Sequence, residues 1–444
     1  MKGLAIFLGA VALADLASCL PTAVSVDVLA RRLDARPAAF AVASETDQRY
    51  LAKDGTTLSA DVYHPRGAGP FPTILVRLPL SRSRQHQTFA DLLGHFWAGR
   101  GYHVVIAGLR GRFRSQGAYE PLTHERADGL ATLAWLERQA WFDGRLGMWG
   151  GSVFGYTQWV LADQRDPGPR ALFMQIVSSD HHGMFYPGGA FSLQTALYWA
   201  MTDRGDHDAF PTAEEMAPGF AGFPVVEADD RTGRALPVFD AWTTHRRRDA
   251  FWRAIDGHDR PERLEAPALL LAGWYDPYLP TQLADYTRIK AGARPEVAAK
   301  TRLIIGPWSH AREVTLPGGV NPGDYRFESI GPSLPFYDDL LRPPGAPAPA
   351  PQPAMRIFVM GENRWRDEAA WPLARARETA FYLRGEGKAN TLEGDGALST
   401  EAPHGDEPED FFVYDPLNPV PSAGGVSLSL PGGNGVQLQN AVEA

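Results

Sequence analysis

Apolar and polar positions change their spacing several times along the chain, and each change marks a different kind of element. Leu58–Tyr63, Thr73–Arg77 and His103–Ala107 are strand-like runs, and the last two are continuous and β-branched, as in strands buried on both faces. From Asp128 to Gln139 the apolar residues Leu130, Leu133, Ala134 and Leu136 fall on helical spacing. A short strand, Arg145–Trp149, follows and opens into glycine-rich sequence. Strand, helix and strand in turn predict a parallel sheet with helices on its faces.

Between Ser178 and Asp259 the pattern turns aromatic and acidic, with helical stretches at Phe191–Met201 and Pro237–Ile255 and no buried strand. Strand text returns at Ala268–Ala272 and Arg302–Gly306, so the sheet resumes after an insertion. These shifts predict an α/β core in two parts, 46–178 and 261–345, with a helical cap at 179–260 inserted between them. The Pro/Gly/Ala run Arg342–Pro353 reads as a linker. Short alternating strands at Met355–Met360 and Ala380–Leu383 then predict an all-β unit over 352–444.

The first residues stand apart from this fold. Lys2 precedes an apolar run from Gly3 to Ala14, the length of a secretion signal's central region. The run ends in Leu16-Ala17-Ser18-Cys19, which resembles the lipobox of bacterial lipoproteins, whose cysteine is lipidated. Residues 1–19 therefore read as a signal segment of an exported chain, periplasmic, lipid-anchored or secreted, with Cys19 as the lipidation site that would attach it to a membrane. Residues 20–45 lack a clear period and read as a tether. Beyond the N-terminus there is no run of about eighteen apolar residues, which excludes a chain that crosses a membrane repeatedly as helices.

With 444 residues, 44% apolar and 11% aromatic, the chain has material for a large core. A formal charge of -9, with no Lys/Arg run interleaved with aromatics, argues against nucleic acid as a partner. Cys19 is the only cysteine in the sequence, so no intramolecular disulfide can form. Asp180-His181-His182 invites a metal, but adjacent histidines point apart in regular structure and no third ligand is evident. It reads as loop polarity, and neither a metal nor a cofactor is expected.

The candidate chemistry begins at Gly150-Gly151-Ser152-Val153-Phe154-Gly155, which lies between a strand and a helical segment. A serine nucleophile must project from a tight strand-to-helix turn, where glycines permit the backbone and the following N–H, that of Val153, faces a developing oxyanion. Gly273-Trp274-Tyr275-Asp276 follows one strand and Gly306-Pro307-Trp308-Ser309-His310 the next. A hydroxyl needs an imidazole to accept its proton, and the imidazole needs a carboxylate to fix its tautomer and stabilise its cation. Ser152, Asp276 and His310 are the candidates, in that chain order, each at a strand's C-terminal end. Trp149, Tyr156, Trp274, Tyr275 and Trp308 flank them and are candidates for an acyl pocket.

Four strings carry a family resemblance: Arg110-Gly111-Arg112-Phe113-Arg114-Ser115-Gln116-Gly117, Trp141-Phe142-Asp143-Gly144-Arg145-Leu146-Gly147-Met148-Trp149-Gly150-Gly151-Ser152, Gly273–Asp276 and Gly306–His310. Over about residues 46–435 the chain resembles the cocaine esterase / Xaa-Pro dipeptidyl-peptidase-like group of α/β hydrolases. Tyr414-Asp415-Pro416 and the following Asn418–Ser422 resemble the entry to that family's C-terminal jelly roll, which in the family runs longer, so a shortened jelly-roll-like unit is expected here. The resemblance implies cleavage of esters or amides through an acyl-enzyme, without a metal or organic cofactor. It also implies a tyrosine hydroxyl in the oxyanion hole, but Val76–Arg82 places Leu80 at that position, leaving Ser81, Arg82 or a nearby backbone N–H as substitutes.

The residues leave several functions open. A carboxylesterase is favoured, because no cap carboxylate is assigned to bind the amine of a peptide. A Xaa-Pro dipeptidyl-peptidase, an acyltransferase using the same three residues, and a lipid-anchored binding protein with impaired catalysis are the alternatives. The substrate is a small ester or amide, or a peptide. An incomplete sandwich would leave strand edges and an apolar face open, which invites either self-association into a homo-oligomer or disorder of the tail.

Overall fold

The buried strands form where aliphatic side chains serve both faces at once. In Thr73–Leu78 and His103–Gly108, Leu75 and Val105 enter one core cluster while Ile74, Val76, Val104 and Ile106 enter the other. The computed structural model describes residues 22–437 except positions 80, 82, 203–210, 311, 315, 317–324, 344, 346, 348, 392, 427 and 429–434. The signal segment with Cys19, and Leu80, lie outside the described residues.

The strands are β1 (Val42–Leu51), β2 (Thr57–Pro65), β3 (Thr73–Leu78), β4 (His103–Gly108), β5 (Leu146–Gly151), β6 (Ala171–Gln175), β7 (Ala268–Tyr275), β8 (Arg302–Ser309), β9 (Arg312–Glu313), β10 (Met355–Val359) and β11 (Arg364–Glu368). They form an 11-stranded sheet in the order β1-β2-β4-β3-β5-β6-β7-β8-β10-β11, with β9 on β8. β4, β3, β5, β6, β7, β8 and β10 pair in parallel, while β1, β2, β9 and β11 join antiparallel. This is the expected α/β hydrolase core. The helices Arg84–Ala98 and Ser333–Leu340 cover one face, through Phe89, Phe96, Trp97, Phe336 and Tyr337. The helix Glu125–Leu136 covers the other, through Leu133, Trp135 and Leu136.

The insertion is helical, as expected. Leu193–Met201 corresponds to the helix expected at Phe191–Met201, but the single helix expected over Pro237–Ile255 is two, Pro237–Thr244 and Ala250–Ile255. The break lies at His245–Asp249, where Asp249 accepts from the N–H groups of Phe251 and Trp252 and restarts the chain as a helix. Phe185 stacks on Trp242 at 4.6 Å, and Trp242 and Trp252, on these two cap helices, are wholly buried. Asp180-His181-His182, expected as a polar loop, instead begins the helix His181–Phe185, with Asp180 accepting from the Gly183 N–H as its cap.

Two expected boundaries are corrected. The tether expected over 20–45 is not what its described part, 22–45, forms: Thr22–Arg32 is a helix that buries Val26, Leu29 and Ala30 in the core, and β1 begins at Val42. Arg36 pairs with Asp338 and donates to the carbonyl of Arg100, so the connecting segment is also held. The strand expected at Met355–Met360 to open the C-terminal unit belongs to the central sheet as β10, because its apolar Met355 and Ile357 pack beside Leu303 and Ile305 of β8. Past β11, the C-terminal β unit contains β12 (Tyr382–Arg384) paired with β13 (Ala397–Ser399), and a bridge between Gly425 and Gly435. No helix among the described residues is long and apolar enough to cross a membrane.

Candidate active site

β5 delivers Ser152 at its end, and the helix Val153–Trp159 starts on the next residue. The turn is tight enough that Ser152 adopts φ 53°, ψ −124°, a strained backbone for a residue with a side chain. Two glycines make it possible by close approach. A Cβ on Gly150 would stand 2.2 Å from that of Phe154, and one on Gly155 would stand 2.4 Å from Cγ1 of Val177. Ser152 donates its N–H to the carbonyl of Gln175 on β6 at 2.9 Å and accepts from the Tyr156 N–H at 2.9 Å. The Val153 N–H belongs to a helical first turn, whose donors have no acceptor within the helix and face the strand end.

β7 and β8 lie side by side in parallel, with Tyr275 opposite Ser309, so Asp276 and His310 emerge as neighbours. Nδ1 of His310 lies 2.9 Å from Oδ2 of Asp276, and Nε2 lies 3.0 Å from Oγ of Ser152. The other carboxylate oxygen of Asp276 accepts the Tyr278 N–H at 2.8 Å. Asp276 is 1% exposed and His310 7%, so the pair is shielded from water while Ser152 is half-buried.

A layer of polar side chains supports this turn. Tyr325 donates to Oε1 of Gln175, while Nε2 of Gln175 and Nε1 of Trp149 both donate to the carbonyl of Ser329. Burial, and then the Asp276 charge, holds the hydroxyls of Tyr278 and Tyr325 in their neutral form well above the ordinary tyrosine range. The string Asp276-Pro277-Tyr278 was visible in the sequence, but only the fold shows that Tyr278 turns back onto the acid and the imidazole. Gln175 and Tyr325 carried no signal, because their contacts join distant segments.

The five aromatics proposed for a pocket separate. Trp149, Tyr156 and Trp308 are core residues, at 5%, 1% and 0% exposure. Trp149 packs on Trp97, Tyr156 donates its hydroxyl to the carbonyls of Leu122 and Ile255, and Trp308 sits between Tyr325 and Trp365. Their strand-end neighbourhood put them near the site in sequence, but their rings turn into the sheet's covering layers. Trp274 and Tyr275 are half-buried at the mouth of β7, with Trp274 donating to the carbonyl of Phe358. Ser81, a substitute considered for the second oxyanion donor, has its hydroxyl on Nδ1 of His86 at 3.2 Å and accepts the Ser83 N–H.

The cap is fastened beside the site by charge. Arg248 pairs with both Asp180, at the entry of the cap, and Asp256, at its exit. Burial raises Asp180, but bonds from His258, Arg248 and the Gly183 N–H outweigh it and hold the carboxyl below the usual range. Asp256 is pushed up to about 7 by burial and by the charge of Asp180. Asp285 is pushed up to about 6 by burial, against bonds from Ser179 and Ser178. His181 is wholly buried among Tyr156, Trp199 and Tyr278, and burial lowers it to about 4, so it is neutral. No group of three or more His, Cys, Asp or Glu among the described residues is arranged to hold a metal.

Comparison with known proteins agrees with this architecture. The family model for X-Pro dipeptidyl-peptidase (S15 family) matches residues 54–312, and that for the X-Pro dipeptidyl-peptidase C-terminal non-catalytic domain matches residues 349–431. The chain is 36% identical over 418 residues to cocaine esterase of Rhodococcus sp. (strain MB1 Bresler), covering 88% of this chain and 71% of that protein. Two solved structures share the fold. An aminopeptidase from the marine sediment archaeon Thaumarchaeota archaeon gives a TM-score of 0.66 at 21% identity, over 86% of this chain and 66% of that one. An α-amino acid ester hydrolase gives 0.65 at 22% identity, over 84% and 65%.

Proposed function

The chain belongs to the X-Pro dipeptidyl-peptidase S15 family of serine hydrolases, and from that premise we propose that it cleaves a carboxylic ester through an acyl-enzyme, with Ser152 as nucleophile, His310 as general base and Asp276 as the orienting acid. The observation that carries this is the single imidazole spanning Asp276 at 2.9 Å and Ser152 at 3.0 Å. A carboxylate only accepts, so the proton of a neutral imidazole sits on Nδ1 and Nε2 keeps its lone pair for the serine hydroxyl. As Oγ bonds to the substrate carbonyl carbon, its proton passes to Nε2 and the carbonyl oxygen becomes an oxyanion beside the Val153 N–H. The imidazolium then protonates the departing alcohol, and water repeats the sequence to release the acid.

Two features favour an ester over the N-terminus of a peptide. A peptide ammonium needs a free carboxylate, and among the described residues Asp180 and Asp256, at the two ends of the cap, are engaged by Arg248, and Asp285 by Ser178 and Ser179. The related cocaine esterase is also an esterase by name. Fluorophosphonate labelling with mass spectrometry tests the nucleophile: an adduct on Ser152, absent in Ser152→Ala, is expected, and a folded chain that takes no label refutes the proposal. Turnover of p-nitrophenyl butyrate against Ala-Pro-p-nitroanilide then separates esterase from dipeptidyl-peptidase. Export and lipidation at Cys19 rest on the sequence pattern, and palmitate incorporation that persists in Cys19→Ser would refute the latter.

A further inference from the structure

The base of the site is flanked by an aromatic ring that the reaction scheme above does not use. Tyr278 lies two residues beyond Asp276 and is wholly buried. Its N–H fixes the carboxylate oxygen that does not face His310. Its ring lies 5.8 Å from the His310 imidazole, centroid to centroid, with 30° between the planes. The edge-on imidazole of His181, 5.9 Å away, packs against the same ring. The Tyr278 hydroxyl makes no hydrogen bond among the described residues, so the ring is held by packing and by its own backbone.

From this geometry we infer that Tyr278 is a positioning residue of the hydrolytic reaction, whose π face holds the His310 ring and favours its cationic form at the moment Ser152 gives up its proton. The inference rests on the assignment of His310 as general base. An aromatic face attracts a cation within about 6 Å of its centroid, most strongly away from water. The neutral imidazole has no net charge for that face to attract, whereas the imidazolium does. The contact therefore strengthens as the proton moves from Oγ to Nε2, which is when an interaction lowers the barrier. Asp276 supplies the charge on the Nδ1 edge, and Tyr278 supplies a ring face and, through its N–H, the fixed orientation of that carboxylate. His181, neutral through burial, adds no competing positive charge behind the ring.

The test compares wild type with Tyr278→Phe, Tyr278→Leu and Tyr278→Met on p-nitrophenyl butyrate across pH, with kcat and KM resolved. Methionine fills much of the ring's space without a π face and covers the case in which the leucine variant does not fold. The expected result for Leu and Met is a fall in kcat of about three- to tenfold with KM within about twofold, and an acid limb shifted to lower pH by about half a unit. Phenylalanine keeps the face and restores both. Leucine and methionine variants with wild-type kcat and acid limb overturn the inference, as does a phenylalanine variant that falls as far as they do. Fluorophosphonate labelling of wild-type Ser152 separates this failure from that of the triad: an unlabelled wild type removes both, whereas a labelled one with silent Tyr278 variants removes only this one.

Discussion

The strands that present Ser152, Asp276 and His310 and the strands near the end of the chain are both written in apolar residues, yet they meet opposite fates. In β5, β7 and β8, Met148, Leu270 and Trp308 have no exposed surface. In β12 and β13, Leu383 is 84% exposed and its cross-strand partner Leu398 66%, and Phe412, further on, is 82% exposed. The difference is not composition. β5 to β8 lie in the middle of the sheet with helices over both faces, whereas β12 and β13 form a two-stranded pair, and such a pair has too little apolar contact to bury its own side chains. An apolar run becomes core only where the topology lays another element across it, and the reactive side chains stand at the ends of strands covered in this way.

The comparison breaks first at the catalytic end. Ser152→Ala is expected to lower ester turnover by about a thousandfold or more, while urea unfolding moves by less than about 0.5 kcal/mol, since the side chain is half-buried at a strained turn. A stability loss instead would mean that the serine holds the turn rather than acts from it. Trp308→Ala, three strands over on β8, is expected to cost about 3–5 kcal/mol, because its ring fills the space between Tyr325 and Trp365 and its N–H donates to the carbonyl of Ala272. Urea denaturation measures this, and a cost under about 1 kcal/mol would refute the picture of a closed core beneath β8.

A smaller effect comes from charge enclosed beside the cap. Asp285 is pushed from its ordinary range up to about 6 by burial, so its folded form holds a proton more tightly than its unfolded form. The associated stability is fully present below about pH 4 and is lost as pH rises through 6, by at most about 3 kcal/mol. Asp285→Asn is expected to flatten that fall, seen as a smaller difference between unfolding free energies at pH 5 and pH 7. An unchanged slope would assign the pH dependence elsewhere, with Asp256, pushed up to about 7, as the next group to test.

What the sequence discloses divides along the same line. The turn at Ser152 is legible because its needs are local: glycines at 150 and 155, a strand before and a helix after. The ends of β7 and β8 are legible for the same reason, since a continuous apolar run stops at Asp276 in one and just before His310 in the other. The contacts of Gln175, Tyr325 and Tyr278 are illegible, because each depends on which segments the sheet order brings together. The same blindness assigned Met355–Met360 to a separate unit: a strand that pairs in parallel with β8 carries no mark of its partner. It also made a tether of 20–45, where Val26, Leu29 and Ala30 are too few to show a period yet enough to seat a helix. Trp149, Tyr156 and Trp308 were drawn to the site by proximity in sequence, which says where a backbone passes and not which way a ring turns.

The mildest substitution sharpens the comparison most. Phe411, Phe412, Val413 and Tyr414 are 76%, 82%, 90% and 82% exposed, so removing one ring takes away little area that folding has withdrawn from water. Phe412→Ser is expected to change the unfolding free energy by less than about 0.5 kcal/mol and to leave ester turnover untouched. The same chemical change in the closed core, Phe96→Ser at 0% exposure, would be severe. Urea denaturation at several protein concentrations measures both the cost and its dependence on association. A concentration-independent cost above about 1 kcal/mol for Phe412→Ser would mean that this ring is covered within the chain in solution. A cost that grows with concentration would mean that the cover is another molecule, because only an interface makes stability depend on how many partners are present.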